Sequence, residues 1–241
     1  CFEFGWRAFD IAERLQTPVV VLSDLDFGMN QWMTEPFKYP DTPMDRGKVL
    51  YEDDLKNLTE PWGRYLDKDG DGIPYRTLPG NRHPAGAYFA RGTSHDAYAR
   101  YTEDPVVWEN NMDRIHKKFE TAKQYLPKPV IETVDGAKEG IIAFGSTLPA
   151  VAEARYLLEK EKGKKTSFLD LKAYPFADEV KEFVSKLDKV YVVEMNRDGQ
   201  LYQLLSIAMP ELVTKLVKVA YSDGLPPTAR RVMSEILAKE N

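Results

Sequence analysis

The densest cluster of side chains able to do chemistry is Asp67-Lys68-Asp69-Gly70-Asp71-Gly72. Carboxylates at loop positions 1, 3 and 5 with glycine at 6 are how an EF-hand calcium loop begins. Its bidentate glutamate belongs at position 12, which here is Leu78, and Pro74 interrupts the run toward an exiting helix. A complete EF-hand is therefore not expected. Carboxylates this close repel one another unless water or a cation intervenes. Asp67, Asp69 and Asp71 are thus candidate ligands for a single divalent ion, with a solvated acidic turn as the plain alternative. Of His83, His95 and His116, none has zincin spacing. His95-Asp96 is the most suggestive pair, because it follows the small-residue turn Gly92-Thr93-Ser94. No nucleophile elbow, Walker loop or dinucleotide glycine fingerprint is present.

The elements that must position these residues fall into three stretches. In residues 1–35, Phe4, Ala8, Ile11, Ala12 and Leu15 recur at helical spacing, and Thr17-Pro18 stops the helix. Val19-Val20-Val21-Leu22 then reads as a short buried strand, followed by a loop. Residues 36–138 are rich in proline, which breaks helices and central strands. They read as a long ordered excursion with one helix, from about Val106 to Tyr125, entered at Asp104-Pro105. Aromatic residues such as Trp32, Trp62, Tyr65 and Tyr88 argue against a disordered linker.

Residues 139–241 alternate strand and helix. The strands are 140–145, 166–171, 189–194 and 218–221; the helices are 148–162, 177–187, 200–209 and 227–239. Such alternation predicts an α/β domain with a largely parallel sheet. Ligands in these folds sit at the strands' C-terminal ends. The loops there are Gly145-Ser146-Thr147, Ala173-Tyr174-Pro175, Asn196 to Gln200 and Ser222-Asp223-Gly224. Ser146-Thr147, opening a helix, could receive an anion.

Composition narrows the function classes. The 241 residues are 43% hydrophobic and 29% charged with net charge −5, which excludes collagen, a coiled coil or a disordered chain. An acidic chain without a basic cluster is a poor nucleic-acid binder. The longest apolar run, 18–22, is far short of the ~20 residues of a membrane span. Cys1 is the only cysteine, so an internal disulfide, a cysteine zinc site and a cysteine-held iron–sulfur cluster are impossible within this chain. A reducing, cytoplasmic setting is expected. The start, Cys1-Phe2-Glu3-Phe4, reads as mid-helix and suggests a piece of a longer chain.

Gly70-Asp71-Gly72 is similar to the opening of the diphosphate-binding motif of thiamine enzymes. The partner asparagine is missing at the right distance: 37 residues separate Gly72 from Asn110-Asn111. That reading fails for this chain. A set of segments in order carries a different resemblance. They are Ala8 to Arg14 running into Val19 to Asp24, Trp32 to Phe37, Gly70-Asp71-Gly72-Ile73-Pro74-Tyr75-Arg76-Thr77-Leu78-Pro79-Gly80, Gly92 to Asp96, Val193-Glu194-Met195-Asn196-Arg197-Asp198-Gly199-Gln200-Leu201 and Asp223 to Arg230. Together these resemble the alpha subunit of 2-oxoacid:ferredoxin oxidoreductases, most of all the 2-oxoglutarate type.

The resemblance implies oxidative decarboxylation of a 2-oxoacid on thiamine diphosphate, with electrons passing through a 4Fe-4S cluster to ferredoxin and an acyl-CoA as product. It implies a hetero-oligomer in which a beta subunit holds thiamine diphosphate, magnesium and the cluster, so that these cofactors and CoA lie mainly outside this chain. Residues 1–35 would be the tail of a pyrimidine-side domain, 36–138 a connecting excursion and 139–241 a transketolase-C-like domain. The glutamate that contacts the pyrimidine would precede Cys1, so this chain alone would hold no catalytic residue and be inactive. A 2-oxoacid dianion calls for arginine, which recognises carboxylates with two parallel bonds. Arg76 is the first candidate, with Asp71 and Thr77 beside it, and neutralisation of the aspartate turn is its equal alternative. His95 and Asp96 are candidates behind it. Glu194, Asn196 and Gln200 could tie domains together or support the site. Met195 departs from the polar residue expected there. Two competing classes stand beside the enzyme subunit: a non-catalytic assembly module, and a divalent-ion-binding α/β module built on Asp67, Asp69 and Asp71.

Overall fold

The computed structural model describes residues 1–89 and 94–240. It divides into two compact units: Cys1–Val21 with Glu35–Tyr125, and Leu22–Thr34 with Leu126–Asn241. In chain order the helices before the sheet are α1 (Phe2–Leu15), α2 (Leu25–Met29), α3 (Glu52–Lys56) and α4 (Pro105–Ala122). Of these, α2 lies in the second unit and the others in the first.

In the first unit, α1 buries Ile11 and Leu15 on the predicted face and ends in a left-handed Gln16, before Thr17-Pro18. Proline at the first turn and Asp104 as cap start α4, since the Asp104 carboxylate accepts from the amides of Val106 and Val107 at 2.8 and 3.3 Å. The expected strand Val19–Leu22 is absent. That run belongs to no strand among the described residues, with Val20 77% and Leu22 87% exposed. Apolar β-branched residues supply propensity, but a strand needs a neighbour for its N–H and C=O groups.

The second unit holds β1 (Val130–Glu132), β2 (Glu139–Ala143), α5 (Leu148–Lys162), β3 (Thr166–Asp170), α6 (Asp178–Ser185), β4 (Lys189–Glu194), α7 (Gln200–Ala208), β5 (Leu216–Ala220) and α8 (Ala229–Ala238). The strand order is β1-β3-β2-β4-β5. β1 is antiparallel to β3, and the other pairs are parallel. The fold class is the α/β parallel sheet that the alternation predicts, with β1 as an antiparallel edge. Strand alternation splits the core in two. Ile141, Tyr191 and Val193 pack with Val151, Leu158, Val232 and Ile236 of α5 and α8. Ile142, Leu169, Val190 and Val192 pack with Val180, Val184 and Leu205 of α6 and α7. Each such side chain stabilises by about 1.5–3 kcal/mol on burial. Val130–Glu132 was not expected as a strand, because its exposed three residues carry no periodicity.

From β2 the chain goes to β3 on one side and then returns to β4 on the other. The topological switch point therefore lies between the C-terminal ends of β2 and β4, where such sheets bind ligands.

Candidate functional site

In the second unit the switch point is flanked by Gly145-Ser146-Thr147 after β2 and Glu194-to-Gln200 after β4. Glu194 is fully buried, with relative exposure 0%. Its Oε2 accepts from the amide of Leu201 at 2.8 Å and from Asn196 Nδ2 at 2.5 Å, and its Oε1 accepts from the amide of Tyr202 at 3.0 Å. These backbone donors belong to the first turn of α7, so a carboxylate sits at the positive end of that helix. Asn196 Oδ1 accepts from the amides of Gly199 and Gln200 at 2.7 and 2.9 Å. Gly199 has φ +69°, and an added Cβ would meet the Lys218 side chain. Glu194, Asn196 and Gln200 thus come together as the anchor of α7; the Gln200 side chain is exposed.

At the other loop, Ser146 Oγ donates to Asp24 Oδ2 at 2.6 Å, and Asp24 Oδ1 accepts from the amide of Phe27 at 2.9 Å. Burial alone would raise the Asp24 pKa. Hydrogen bonds from Ser146 and from the amides of Phe27, Ser146 and Asp26 outweigh it and hold the carboxyl below its ordinary value. The anion anticipated at Ser146-Thr147 is the chain's own Asp24. Asp24 caps α2 in a stretch that the sequence reads as a loop.

The first unit gathers the aspartate turn. Asp67 accepts from the amides of Asp71 and Gly72, both at 3.0 Å. Asp71 Oδ1 accepts from the amide of Ile73 at 2.9 Å and from Lys48 Nζ at 2.8 Å, and the same ammonium lies 2.7 Å from Asp69 Oδ2. This corrects the metal reading: Lys48 supplies the cation between Asp69 and Asp71, while Asp67 is spent on backbone amides. The Lys48 pKa feels burial first, which lowers it, but Asp69 and Asp71 overcome that and raise it. Asp69 is held below its ordinary value, chiefly by Lys48. Gly72 has φ +80°, and a Cβ there would run into the backbone of α4 at Arg114 and Lys118. Arg114 Nη1 donates to the Gly72 carbonyl at 3.1 Å, and Thr121 Oγ1 to the Asp71 carbonyl at 2.7 Å.

Arg76 lies beside this turn, but its guanidinium is engaged. Nη2 donates to Glu13 Oε2 at 2.5 Å and to the Arg46 carbonyl at 3.1 Å. Burial would raise the Glu13 pKa, yet Arg46 and Arg76 together lower it. The Arg76 partner is thus Glu13 of α1, not the aspartate turn. Thr77 is buried and donates to the Gly86 carbonyl at 2.6 Å. The His95 ring stacks on Tyr65 with centroids 3.7 Å apart, and its carbonyl accepts from Asn111 Nδ2 at 2.8 Å. Asp96 Oδ1 accepts from the amides of Tyr98 and Arg100 at 2.8 and 2.9 Å. Gly92 and Thr93 of the motif before His95 lie outside the described residues. Lys48, which carries no motif, and Glu13 and Asn111, named above for other reasons, organise these contacts, and those roles were not anticipated.

The residues present do not fit a cysteine-held iron–sulfur cluster. Among the described residues no three His, Cys, Asp or Glu side chains converge to hold a metal, and a lone Cys1 cannot ligate a cluster that takes four cysteine thiolates. Among the described residues no helix is long and apolar enough to cross a membrane.

No family model matches the chain. The chain is similar to alpha subunits of 2-oxoacid:ferredoxin oxidoreductases. Subunit alpha of 2-oxoacid:ferredoxin oxidoreductase 2 of Aeropyrum pernix is 32% identical over 206 residues, 83% of this chain and 30% of that protein. The 2-oxoglutarate synthase subunit KorA of Methanothermobacter marburgensis is 27% identical over 216 residues, 86% of this chain and 53% of that protein. The solved 2-oxoglutarate:ferredoxin oxidoreductase of Magnetococcus marinus, with 2-oxoglutarate, coenzyme A and succinyl-CoA bound, matches with TM-score 0.77 and 25% identity over 96% of this chain and 39% of that one. The chain spans about a third to a half of the length of these relatives.

Proposed function

We propose that this chain is part of the alpha subunit of a thiamine-diphosphate-dependent 2-oxoacid:ferredoxin oxidoreductase acting on 2-oxoglutarate. In that reaction the C1–C2 bond of the oxoacid breaks, C1 leaves as carbon dioxide, and C2 loses two electrons to ferredoxin as it becomes the thioester carbonyl of succinyl-CoA. The observation that carries the reading is the 32% identity over 83% of the chain to a protein named as such a subunit. In this reading thiamine diphosphate, magnesium, the cluster and the ferredoxin contact belong to other parts of the enzyme, chiefly a beta subunit; a lone Cys1 supports this for the cluster. In this reading the 241-residue chain alone is inactive.

Within this reading, 1–35 closes a pyrimidine-side domain, 36–138 connects, and 139–241 is the transketolase-C-like domain. Glu194, Asn196 and Gln200 shape the strand-end loop, and the pair Arg76–Glu13 makes Arg76 a positioning residue. The test is co-expression of the subunit carrying this sequence with its cognate beta subunit. Co-purification and anaerobic 2-oxoacid-dependent viologen reduction are expected, with none from the 241 residues alone. A complex that turns over no 2-oxoacid defeats the proposal. In the same assay Arg76→Ala is expected to lower kcat at nearly unchanged KM. A selective rise in KM would instead return Arg76 to direct substrate contact.

A further inference from the structure

A cleft of about 500 Å³ in the first unit is used by none of the chemistry above. Its size falls within the ~300–1,000 Å³ of small-molecule sites. Trp62, Tyr88, Phe89, Tyr98 and Tyr101 form its walls. Trp62 meets Tyr88 edge to face at 5.9 Å and is fixed by its Nε1, which donates to the Ala85 carbonyl at 2.7 Å. The other rings stay open, with Phe89 79% exposed. Uncovered aromatic surface in a concave site suits a flat ring.

The charges in the lining have one sign. Arg64 and Arg100 line the cleft, and no carboxylate does so among the described residues, in a chain of net charge −5. Nearby acids are already engaged: Asp96 holds the amides of Tyr98 and Arg100, and Glu103 accepts from the Tyr101 hydroxyl. Arg64 lies over the rings of Tyr65 and Tyr88 at 4.9 and 5.7 Å and donates from Nε to the Tyr88 hydroxyl at 3.3 Å. Its Nη1 is buried with no acceptor among the described residues. An orphaned guanidinium N–H is costly, and a phosphate or carboxylate oxygen is its natural partner. Behind it, Arg114 and Lys118 are each held below their ordinary pKa, first by burial and then by neighbouring guanidiniums. Ala99, between the two lining residues Tyr98 and Arg100, has φ +68°, a strained conformation for alanine that the Asp96 turn enforces.

We propose that this cleft binds a flat aromatic ring carrying an anionic tail, a nucleotide-type ligand. The rings would stack its base, and Arg64 and Arg100 would hold its phosphates. Tyrosine, tryptophan and arginine are also favoured at protein interfaces; the concave volume and the orphaned Arg64 favour a small anion. The assignment does not depend on the proposed reaction.

The test is titration of the full chain with ADP by calorimetry and tryptophan fluorescence, beside adenosine and inorganic pyrophosphate. Saturable ADP binding is expected, with each fragment at least about tenfold weaker. Arg100→Ala, at an exposed side chain, should weaken ADP by about tenfold and leave adenosine unchanged. Tyr98→Ala should weaken both, with the circular dichroism of both variants unaltered. Lack of saturation at millimolar ADP, or ADP affinity unchanged from the unsubstituted chain in both variants, overturns the proposal. So does protection of Trp62 by the beta subunit without any ADP binding.

Discussion

In the second unit, Ile141, Ile142, Leu158, Leu169 and Tyr191 disappear between strands and helices, and almost nothing polar is needed to keep them there. In the first, the buried apolar side chains among the described residues are Ile11, Leu15, Leu55, Ile73, Ala99 and Ala122. Its central turn is held instead by Lys48 between Asp69 and Asp71, by Asp67 on two amides and by Arg76 on Glu13. Hydrophobic burial is non-directional and written in periodicity. The polar network is directional, its partners lie far apart in sequence, and its members are partly exposed to solvent. The difference teaches which unit depends on volume and which on charge.

The largest effect should come from volume. Leu158→Ala, in the fully buried face of α5, is expected to cost about 2–5 kcal/mol. Hydrogen exchange should show it as lost protection across β2, β4 and α8, with the first unit unchanged. Equal loss in both units would break the comparison. Glu194→Gln comes next, because the amide that replaces one oxygen cannot accept from the α7 amides. About 1–3 kcal/mol is expected, read as faster exchange at Leu201 and Tyr202. Intact protection there would remove Glu194 as the anchor of that helix.

The smallest effect concerns charge. The folded pKa values of Glu13 and Asp69 are depressed, so their stabilisation is complete above the ordinary values of 4.5 and 3.8 and is lost as pH falls through the lowered values. The network is partly exposed, so each pair contributes only ~0–1 kcal/mol. Acidification from about pH 5 to pH 3 should therefore loosen peptides around residues 45–77 before the sheet core, and high salt should do the same more weakly. If the sheet core loosens first, the charge-held reading of the first unit fails.

This contrast also explains what could be read from the residues alone. Helix 148–162 and strand 189–194 were legible to the residue, because buried parallel strands and amphipathic helices repeat their signal. Asp104-Pro105 announced α4 through its cap. Val19–Leu22 misled, since its composition spoke for a strand while pairing depends on a neighbour that composition does not encode. The aspartate turn was legible as a cluster, with a divalent ion and a solvated turn both open, but Lys48 as its partner was not. Lys48 stands well upstream with no motif around it, and only folding brings its ammonium between Asp69 and Asp71. Arg76 and Glu13 are likewise 63 residues apart. Glu194 ends the expected strand, but its hold on the α7 amides was not among the roles read from the sequence and emerged only with the helix beginning at Gln200.

The central claim is that this sequence serves a 2-oxoacid:ferredoxin oxidoreductase, and product formation tests it most directly. The full-length subunit and its cognate beta subunit would be incubated anaerobically with 2-oxoglutarate, CoA and oxidised ferredoxin. Mass spectrometry would follow acyl-CoA while absorbance follows ferredoxin. The account predicts succinyl-CoA and reduced ferredoxin appearing together, and neither when 2-oxoglutarate or CoA is omitted. A properly assembled, cofactor-loaded complex that forms no acyl-CoA from any 2-oxoacid offered would contradict it.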